Sequence, residues 1–480
     1  MTGLRGIALK GILWSSIERF SSQGVQFILG LILARILMPS DYGLIGMLGI
    51  FLAVTQLLID GGFVTALIQK KNRDELDYST AFYFNLLVAV FFYLLLFLIA
   101  PLIADFFNQP QLIWLTRIIC LSVLINSFGI VPRAKFTINL DFKSQTKASV
   151  ISILISGIVG ICLAFNGCGV WSLVIQANLK SSIEIIVLWY ISKWIPQRRF
   201  CMKRFKVMFS FGYKILLSEL LNTIFGNAYI LIIGKFFSAN DLGFFTRAHQ
   251  ISAFPSSNIS SIIGRVTFPV LSNLQGNEAR LGSAYKKIII NSAIIVFPLM
   301  MMLSALAEPI VTLILTEKWK GCIWMIQLLC FAAMLHPIHA INLNIMNVKG
   351  RSDLTLKIEI VKKVIIVIIL VITVPLGIRA IVIGQVATSF IALGINLLYT
   401  KKMIDYGLKE QIFDIIPILL LSFAMNLVIF YSISYLNSNL FKVILGFFEG
   451  VIFYISFVWA LNIGNIRDSY SSIKNENFIS

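Results

Sequence analysis

The chain has 480 residues, of which 58% are hydrophobic and only 13% charged, and its mean hydropathy is +0.88. A soluble domain carries about 25% charged residues, so the composition excludes a soluble enzyme. Lys and Arg number 40 against 22 Asp and Glu, a net charge of +18 that has to be explained by where the cations fall.

At roughly 20 residues per crossing, the apolar residues can supply about 14 spanning helices. In chain order the apolar runs predict spans at 11–37, 43–68, 79–104, 112–132, 148–165 and 169–192. They continue at 208–236, 242–271, 288–315, 322–347, 358–375, 378–400, 412–436 and 441–463. The fold class expected is an all-α integral membrane protein. Turn chemistry marks the breaks: Pro39-Ser40-Asp41, Asn108-Gln109-Pro110, Asn166-Gly167 and Asn437-Ser438-Asn439. The first run is too long for a signal peptide and reads as a retained span. The longest polar stretch, Lys193 to Lys206, is too short to hold a catalytic domain. The motifs of phosphate-binding loops, zinc proteases and serine hydrolases are absent from the sequence. The six cysteines include no C-x-x-C pair and read as small buried hydrophobes. No metal, cofactor or nucleic-acid partner is expected.

With the N-terminus placed in the cytoplasm, 29 of the 40 Lys and Arg residues fall in inside segments or the span ends beside them, 6 in outside segments or the span ends beside them, and 5 deeper within spans. This is the positive-inside bias for an even number of spans, and it predicts that both termini are cytoplasmic. The excess charge thereby becomes a topology signal and a contact with anionic membrane lipids.

An internal register accompanies the spans. Arg35, Asp41 and Gly43 align with Lys235, Asp241 and Gly243 at an offset of 200. Gly11 and Glu18 align with Gly212 and Glu219 at 201, and Trp114 and Cys120 with Trp324 and Cys330 at 210. Six spans separate each pair, which predicts a parallel repeat. The expected division is an N-terminal lobe over 1–200, a second lobe over 201–403, and two further spans with a tail over 404–480. Local chemistry offers a simpler account of two positions: Asp241 as a helix cap and Gly243 as a site of close approach. That account leaves the register unexplained.

Charges inside spans cost about 2.5–3.5 kcal/mol each, so they should face water, a partner or a substrate. In span 1, Ser15, Arg19, Ser22 and Gln26 form one stripe beside Glu18. In span 7, Lys214, Ser218 and Asn222 do so beside Glu219. In span 8, Arg247, Asn258, Ser261 and Arg265 share a face around Pro255. Their common destination is read as a hydrophilic cavity between the lobes. Its basic members Arg19, Lys214, Arg247 and Arg265 suit a phosphate or a sugar acid, with Glu18, Glu219, Gln26, Asn222 and Asn258 alongside. In the rival reading, Glu18, Arg19, Lys214 and Glu219 pair locally and only pack the lobes. Lys180 and Glu184, one turn apart, read as neutralising each other. Arg117 reads as snorkelling to the surface. His336 and His339 share a helical face without the further ligands a metal needs, leaving a proton-responsive or a helix-interface role. Asp60-Gly61-Gly62-Phe63 closes span 2, where Asp60 caps, gates or pairs with Lys70-Lys71-x-Arg73.

Several stretches resemble polysaccharide exporters of the multidrug/oligosaccharidyl-lipid/polysaccharide superfamily, most nearly the WzxC/TuaB type. They are Arg35-Ile-Leu-Met-Pro-Ser-Asp-Tyr-Gly-Leu44, Leu58 to Lys71, Tyr78-Ser-Thr-Ala-Phe82, Pro132-Arg-Ala-Lys-Phe136 and Leu140-Asp-Phe-Lys143. Ser261 to Ser272 and Lys349-Gly-Arg-Ser-Asp-Leu354 fit as well, and the likeness covers about residues 1–400. The resemblance implies a two-lobe transporter of 14 helices that flips undecaprenyl-diphosphate-linked oligosaccharides for O-antigen, capsule or exopolysaccharide across the bacterial plasma membrane. It implies a lipid-linked oligosaccharide as substrate and a polysaccharide polymerase and export machinery as partners. By helix position it singles out Arg19 and Arg247. The alternatives are a multidrug antiporter of the same superfamily, which would need an acidic cavity, and a membrane polymerase, which would need a larger loop.

Overall fold

The computed structural model describes residues 22–401, 403, 404 and 406–463, except for the side chains of Lys214, Arg265, Val266 and Ser352. Helices account for the architecture, and no strand occurs among the described residues. In hydrocarbon the backbone has no water to bond with, and a helix satisfies its amides within one segment.

Among the described residues, each apolar run read from the sequence coincides with a helix or with a helix broken into two or three pieces. The first six runs correspond to α1 (Ser22–Ile36), α2 (Pro39–Asp60) with α3 (Phe63–Gln69), α4 (Glu75–Phe107), α5 (Leu112–Ile119) with α6 (Leu121–Ser127) and α7 (Ile130–Ile138), α8 (Phe142–Phe165) and α9 (Val170–Ser192). The next four are α10 (Met202–Gly226) with α11 (Ala228–Phe236), α12 (Ala239–Asn273), α13 (Glu278–Ala305) with α14 (Ala307–Ile314), and α15 (Ile323–Ala333) with α16 (His336–Val348). The last four are α17 (Ser352–Thr373), α18 (Ile378–Thr400), α19 (Leu408–Ser434) and α20 (Asn439–Ala460).

Among the described residues, nine helices are long and apolar enough to cross a membrane, or eleven if each of two bent pairs is one span. Length and composition therefore do not by themselves yield fourteen spans. Two long helices outside that set show why. α17 carries Lys357, Glu359, Lys362 and Lys363 within two turns, and α12 is rich in Ser, Asn and Thr with Pro255 and Pro269 inside it.

The chain divides into two compact units, Met1–Gly243 and Phe244–Ser480. The boundary falls this late because α10 and α11 pack on α2, α3 and α4. Phe205 of α10 stacks on Phe63 at 5.9 Å and meets Phe84 at 4.6 Å. Gly212 of α10 lies against the break between α2 and α3, where Gly61 and Gly62 adopt φ of 51° and 73°. A Cβ on Gly62 would sit 2.6 Å from the Gly212 Cα, so both glycines are required by the approach of two backbones.

The repeated motif meets itself within the first unit. The Asp41 carboxylate accepts from the Met38 N–H at 2.9 Å, and Asp241 accepts from the Ser238 N–H at 3.3 Å and the Ser238 hydroxyl at 2.7 Å. Each Asp thus closes the start of its own helix. The two helix starts then cross on their glycines. A Cβ on Gly43 would lie 1.8 Å from the Ala239 carbonyl oxygen, and one on Gly243 would lie 1.8 Å from that of Pro39.

The second unit is built around α13, which packs on α15, α16 and α19. Its centre is polar yet sealed. The Tyr285 hydroxyl donates to Asn342 Oδ1 at 2.6 Å, and the Thr400 hydroxyl donates to the same oxygen at 2.9 Å. Gln411 Nε2 donates to the Tyr285 hydroxyl at 3.1 Å. α20 closes on α19 and α14 through Gly446 and Gly450, where a Cβ would meet Leu306 or Ile429 at 2.7 Å.

The crossing of helix starts predicts a sharp contrast. Gly43→Ala and Gly243→Ala should each destabilise the protein by about 1–3 kcal/mol, because the obstacle is backbone that cannot turn aside. Gly49→Ala, with nothing within 4 Å, should be neutral or slightly stabilising. Thermal unfolding of the purified proteins in detergent compares the three.

Candidate functional site

Two polar clusters lie in the first unit. The deeper one is assembled by α1, α2, α6, α7 and α9. The helix pair containing α7 bends by 41°, and Arg133 follows that bend. Its Nη2 donates to Glu184 Oε1 at 2.9 Å and to Asn126 Oδ1 at 3.4 Å. Lys180 Nζ donates to Gln26 Oε1 at 3.1 Å. Gln56 Nε2 donates to Asp60 Oδ1 at 3.1 Å, one turn apart on α2. The sequence reading of Lys180 and Glu184 as mutually neutralising gives way to a different pairing. Glu184 is engaged across the bundle by Arg133, a residue read from sequence as a loop cation. The signal that could have revealed this face is the spacing of Gln176, Lys180 and Glu184 at steps of four.

The second cluster lies at the Lys70 end of the unit and straps the segment after α9 onto α4. Asp77 is fully buried, and its carboxylate takes both contacts from Lys70 Nζ at 2.6 Å and one from Arg204 at 3.0 Å. Asp74 and Asp77 cap each other's backbone N–H at 3.1 Å, and Arg204 also pairs with Asp74. Desolvation pushes the Asp74 carboxyl up, but the Asp77 N–H and Arg204 outweigh it and hold the group below its ordinary value. Glu75 pairs with Lys135 at 2.9 Å and accepts from Trp194 Nε1 at 2.6 Å. The Gln197 N–H donates to the Ser79 hydroxyl at 2.8 Å, and the Cys201 N–H to the Thr80 hydroxyl at 3.2 Å. The basic linker is thereby a fixed strap. Arg73 donates to the Leu67 and Ile68 carbonyls and caps α3. Asp60 does not join this cluster: its bonded partner is Gln56, whereas Lys70 serves Asp77.

In the second unit, Arg247 is buried, with 2% of its surface exposed. Its Nη1 donates to Gln250 Oε1 at 2.9 Å, and its guanidinium lies 5.5 Å from the centroid of the buried Trp319. His339 sits between Ser389, 3.4 Å from Nε2, and Asn396, 3.1 Å from Nδ1. This is a helix-interface arrangement of α16 with α18. His336 opens α16. Among the described residues no group of three His, Cys, Asp or Glu is placed to hold a metal ion.

The remaining residues expected in a cavity are placed as follows. Glu18 and Arg19 lie outside the described residues, as do the side chains of Lys214 and Arg265, whose backbones run in α10 and α12. Glu219 and Asn222 are exposed on α10. Asn258 Nδ2 donates back to the Phe254 carbonyl of its own helix at 2.8 Å. Among the expected cavity residues whose side chains are described, Gln26 is joined to a charged group, Lys180. Arg117 lies 4.4 Å from the Phe97 ring and 5.0 Å from that of Trp114. Sequence reading missed Glu449, which accepts from Ser432 between α20 and α19, and Asn85, fully buried in α4.

With this geometry in hand, known proteins place the chain. The family described as polysaccharide biosynthesis protein matches residues 32–324, more than half of the sequence. The chain belongs to the polysaccharide biosynthesis protein family. One relative of this family member is the teichuronic acid biosynthesis protein TuaB of Bacillus subtilis, 27% identical over 349 residues, 72% of each chain. Another is the succinoglycan biosynthesis transport protein ExoT of Rhizobium meliloti, 26% identical over 309 residues, 64% of this chain and 62% of that one. Among solved structures, the lipid II flippase MurJ in an inward closed conformation superposes with a TM-score of 0.76 at 15% identity. It covers 95% of this chain and 100% of that one. The all-α fold is that of transporters of the multidrug/oligosaccharidyl-lipid/polysaccharide superfamily.

The strap sets a test within the first unit. Asp77→Asn leaves two cations without their carboxylate. It should cost about 2–3 kcal/mol, less than a fully buried pair because Lys70 and Arg204 are each about a third exposed. Arg351→Gln, in a pair exposed on both sides, should leave stability unchanged. Thermal unfolding measures both, and reactivity of the Cys201 thiol should rise in Asp77→Asn alone.

Proposed function

We propose that this multi-pass membrane protein is a transporter that flips an undecaprenyl-diphosphate-linked oligosaccharide repeat unit across the bacterial plasma membrane. The observation that carries the reading is the family match, which covers most of the first compact unit and extends into the second as far as residue 324. The name of the relative ExoT as a transport protein and the shared fold with a lipid II flippase support it. The chain is a carrier and not an enzyme.

In this reading both termini are cytoplasmic, and the fourteen helical runs form two lobes, 1–200 and 201–403, with two further spans in 404–480. The lobes rock about a hydrophilic cavity. Arg19, Lys214, Arg247 and Arg265 supply its positive charge, and the polyprenyl tail stays in the bilayer. Arg247 is packed against Trp319 in this state, so its share in binding requires Trp319 to move. A cavity alone moves nothing uphill: an ion gradient, the membrane potential or removal of product must favour one state. A polymerase and export machinery would draw the product away on the far side.

Deletion of the gene should make the undecaprenyl-linked repeat unit accumulate on the cytoplasmic face, as read by lipid-linked glycan analysis. Arg19→Ala and Arg247→Ala should each lower translocation at normal protein levels, and the double variant should fall by roughly tenfold or more. Intact translocation in the double variant would overturn the cationic-cavity part of the reading. A deletion strain with normal glycan and a drug-sensitive phenotype would overturn the substrate class.

A further inference from the structure

Lys180 occupies a position that packing does not explain. It lies ten residues into the 23-residue helix α9, about 15 Å from one end and about 18 Å from the other. An ammonium at that depth costs about 2.5–3.5 kcal/mol unless something compensates it. Glu184, one turn away, would be the natural partner, but it is held by Arg133 at 2.9 Å. Among the described residues no carboxylate lies within ion-pair distance of Lys180 Nζ, and its hydrogen-bond partner is the neutral Gln26 Oε1 at 3.1 Å. That contact is accessible and not sealed in the core. A helix-packing role would bury the stem and neutralise the charge. Here the ammonium is half-buried and bonded to a neutral amide.

We propose that Lys180 binds the diphosphate of the lipid-linked substrate, with Gln26 and the Arg133–Glu184 pair as positioning residues. The ammonium has three N–H donors and Gln26 takes one. The other two can meet non-bridging diphosphate oxygens in charge-assisted hydrogen bonds, while the Gln26 amide group supplies a further donor. Arg133 takes the direct contact with the Glu184 carboxylate, so on the wall of the first unit formed by α1 and α9 Lys180 offers an anion an ammonium that no described carboxylate bonds directly. This inference rests on the flippase reading.

The test uses the full chain purified in detergent, with farnesyl diphosphate as probe, farnesol as the tail control and inorganic diphosphate as the headgroup control. The wild type should bind farnesyl diphosphate in preference to farnesol. Lys180→Met should weaken that binding roughly tenfold to hundredfold, and Lys180→Arg should stay within a few-fold of wild type. Without ligand, the thermal midpoint of Lys180→Met should equal or exceed that of wild type, because a compensating ligand is then missing for the native charge. Lys180→Gln repeats the measurement with a neutral chain of similar polarity, so a folding defect in the Met variant does not decide the result. Wild-type affinity in Lys180→Met or Lys180→Gln, or a lowered ligand-free midpoint in Lys180→Gln with an unchanged ligand-induced shift, would overturn the assignment while leaving the flippase reading intact. A wild-type protein that binds neither diphosphate compound, or binds farnesol equally well, would overturn the reading on which the assignment rests.

Discussion

A polar side chain carried into hydrocarbon has no water to return to, so its partner must be another part of the protein or a ligand. Most of this chain's interior follows from that rule. In the second unit Tyr285, Asn342, Thr400 and Gln411 are buried and hydrogen-bond one another across α13, α16, α18 and α19. In the first, Glu184 is met by Arg133, and Asp77 by Lys70 and Arg204. These bonds do more than offset desolvation. A helix that must reach a specific partner has one rotation and one depth, so the network fixes how otherwise interchangeable apolar helices pack.

The same rule governs the places where helices break. Gly61 and Gly62 interrupt the second span, and the gap admits the backbone of α10 at Gly212. α10 is then held at its other end by Arg204 and by the strap from Trp194 to Cys201. A stretch that the internal register assigns to the second lobe is in this way packed within the first compact unit.

The positions of the helices were legible in the sequence because apolar runs of spanning length have few other uses, and each run coincides with helix among the described residues. The end of α2 at Gly61-Gly62 and the capping role of Asp241 were legible because turn chemistry is local. The partners of the buried charges were not. Lys180 and Glu184 are neighbours on one helix, yet Arg133, 51 positions before Glu184, takes the carboxylate. Distance along the chain hides such a pair, and α7 reaches it only through a bend between Ser127 and Ile130. Asn85 was invisible for a simpler reason, since a single amide in an apolar helix leaves no periodic trace. Arg247 read as one member of a polar stripe, but Trp319 covers it from a short turn that shows no pattern in sequence.

The crossing of the two helix starts also changes what the register at 200 means. Gly43 rests on the carbonyl of Ala239 and Gly243 on that of Pro39. The obstacle on each side is main chain, which every residue type possesses. No substitution at position 39 or 239 can make room for a side chain at 243 or 43, so neither glycine has a compensating partner through which it could drift. The two halves therefore keep these positions alike by geometry, each held separately, whatever else diverges around them.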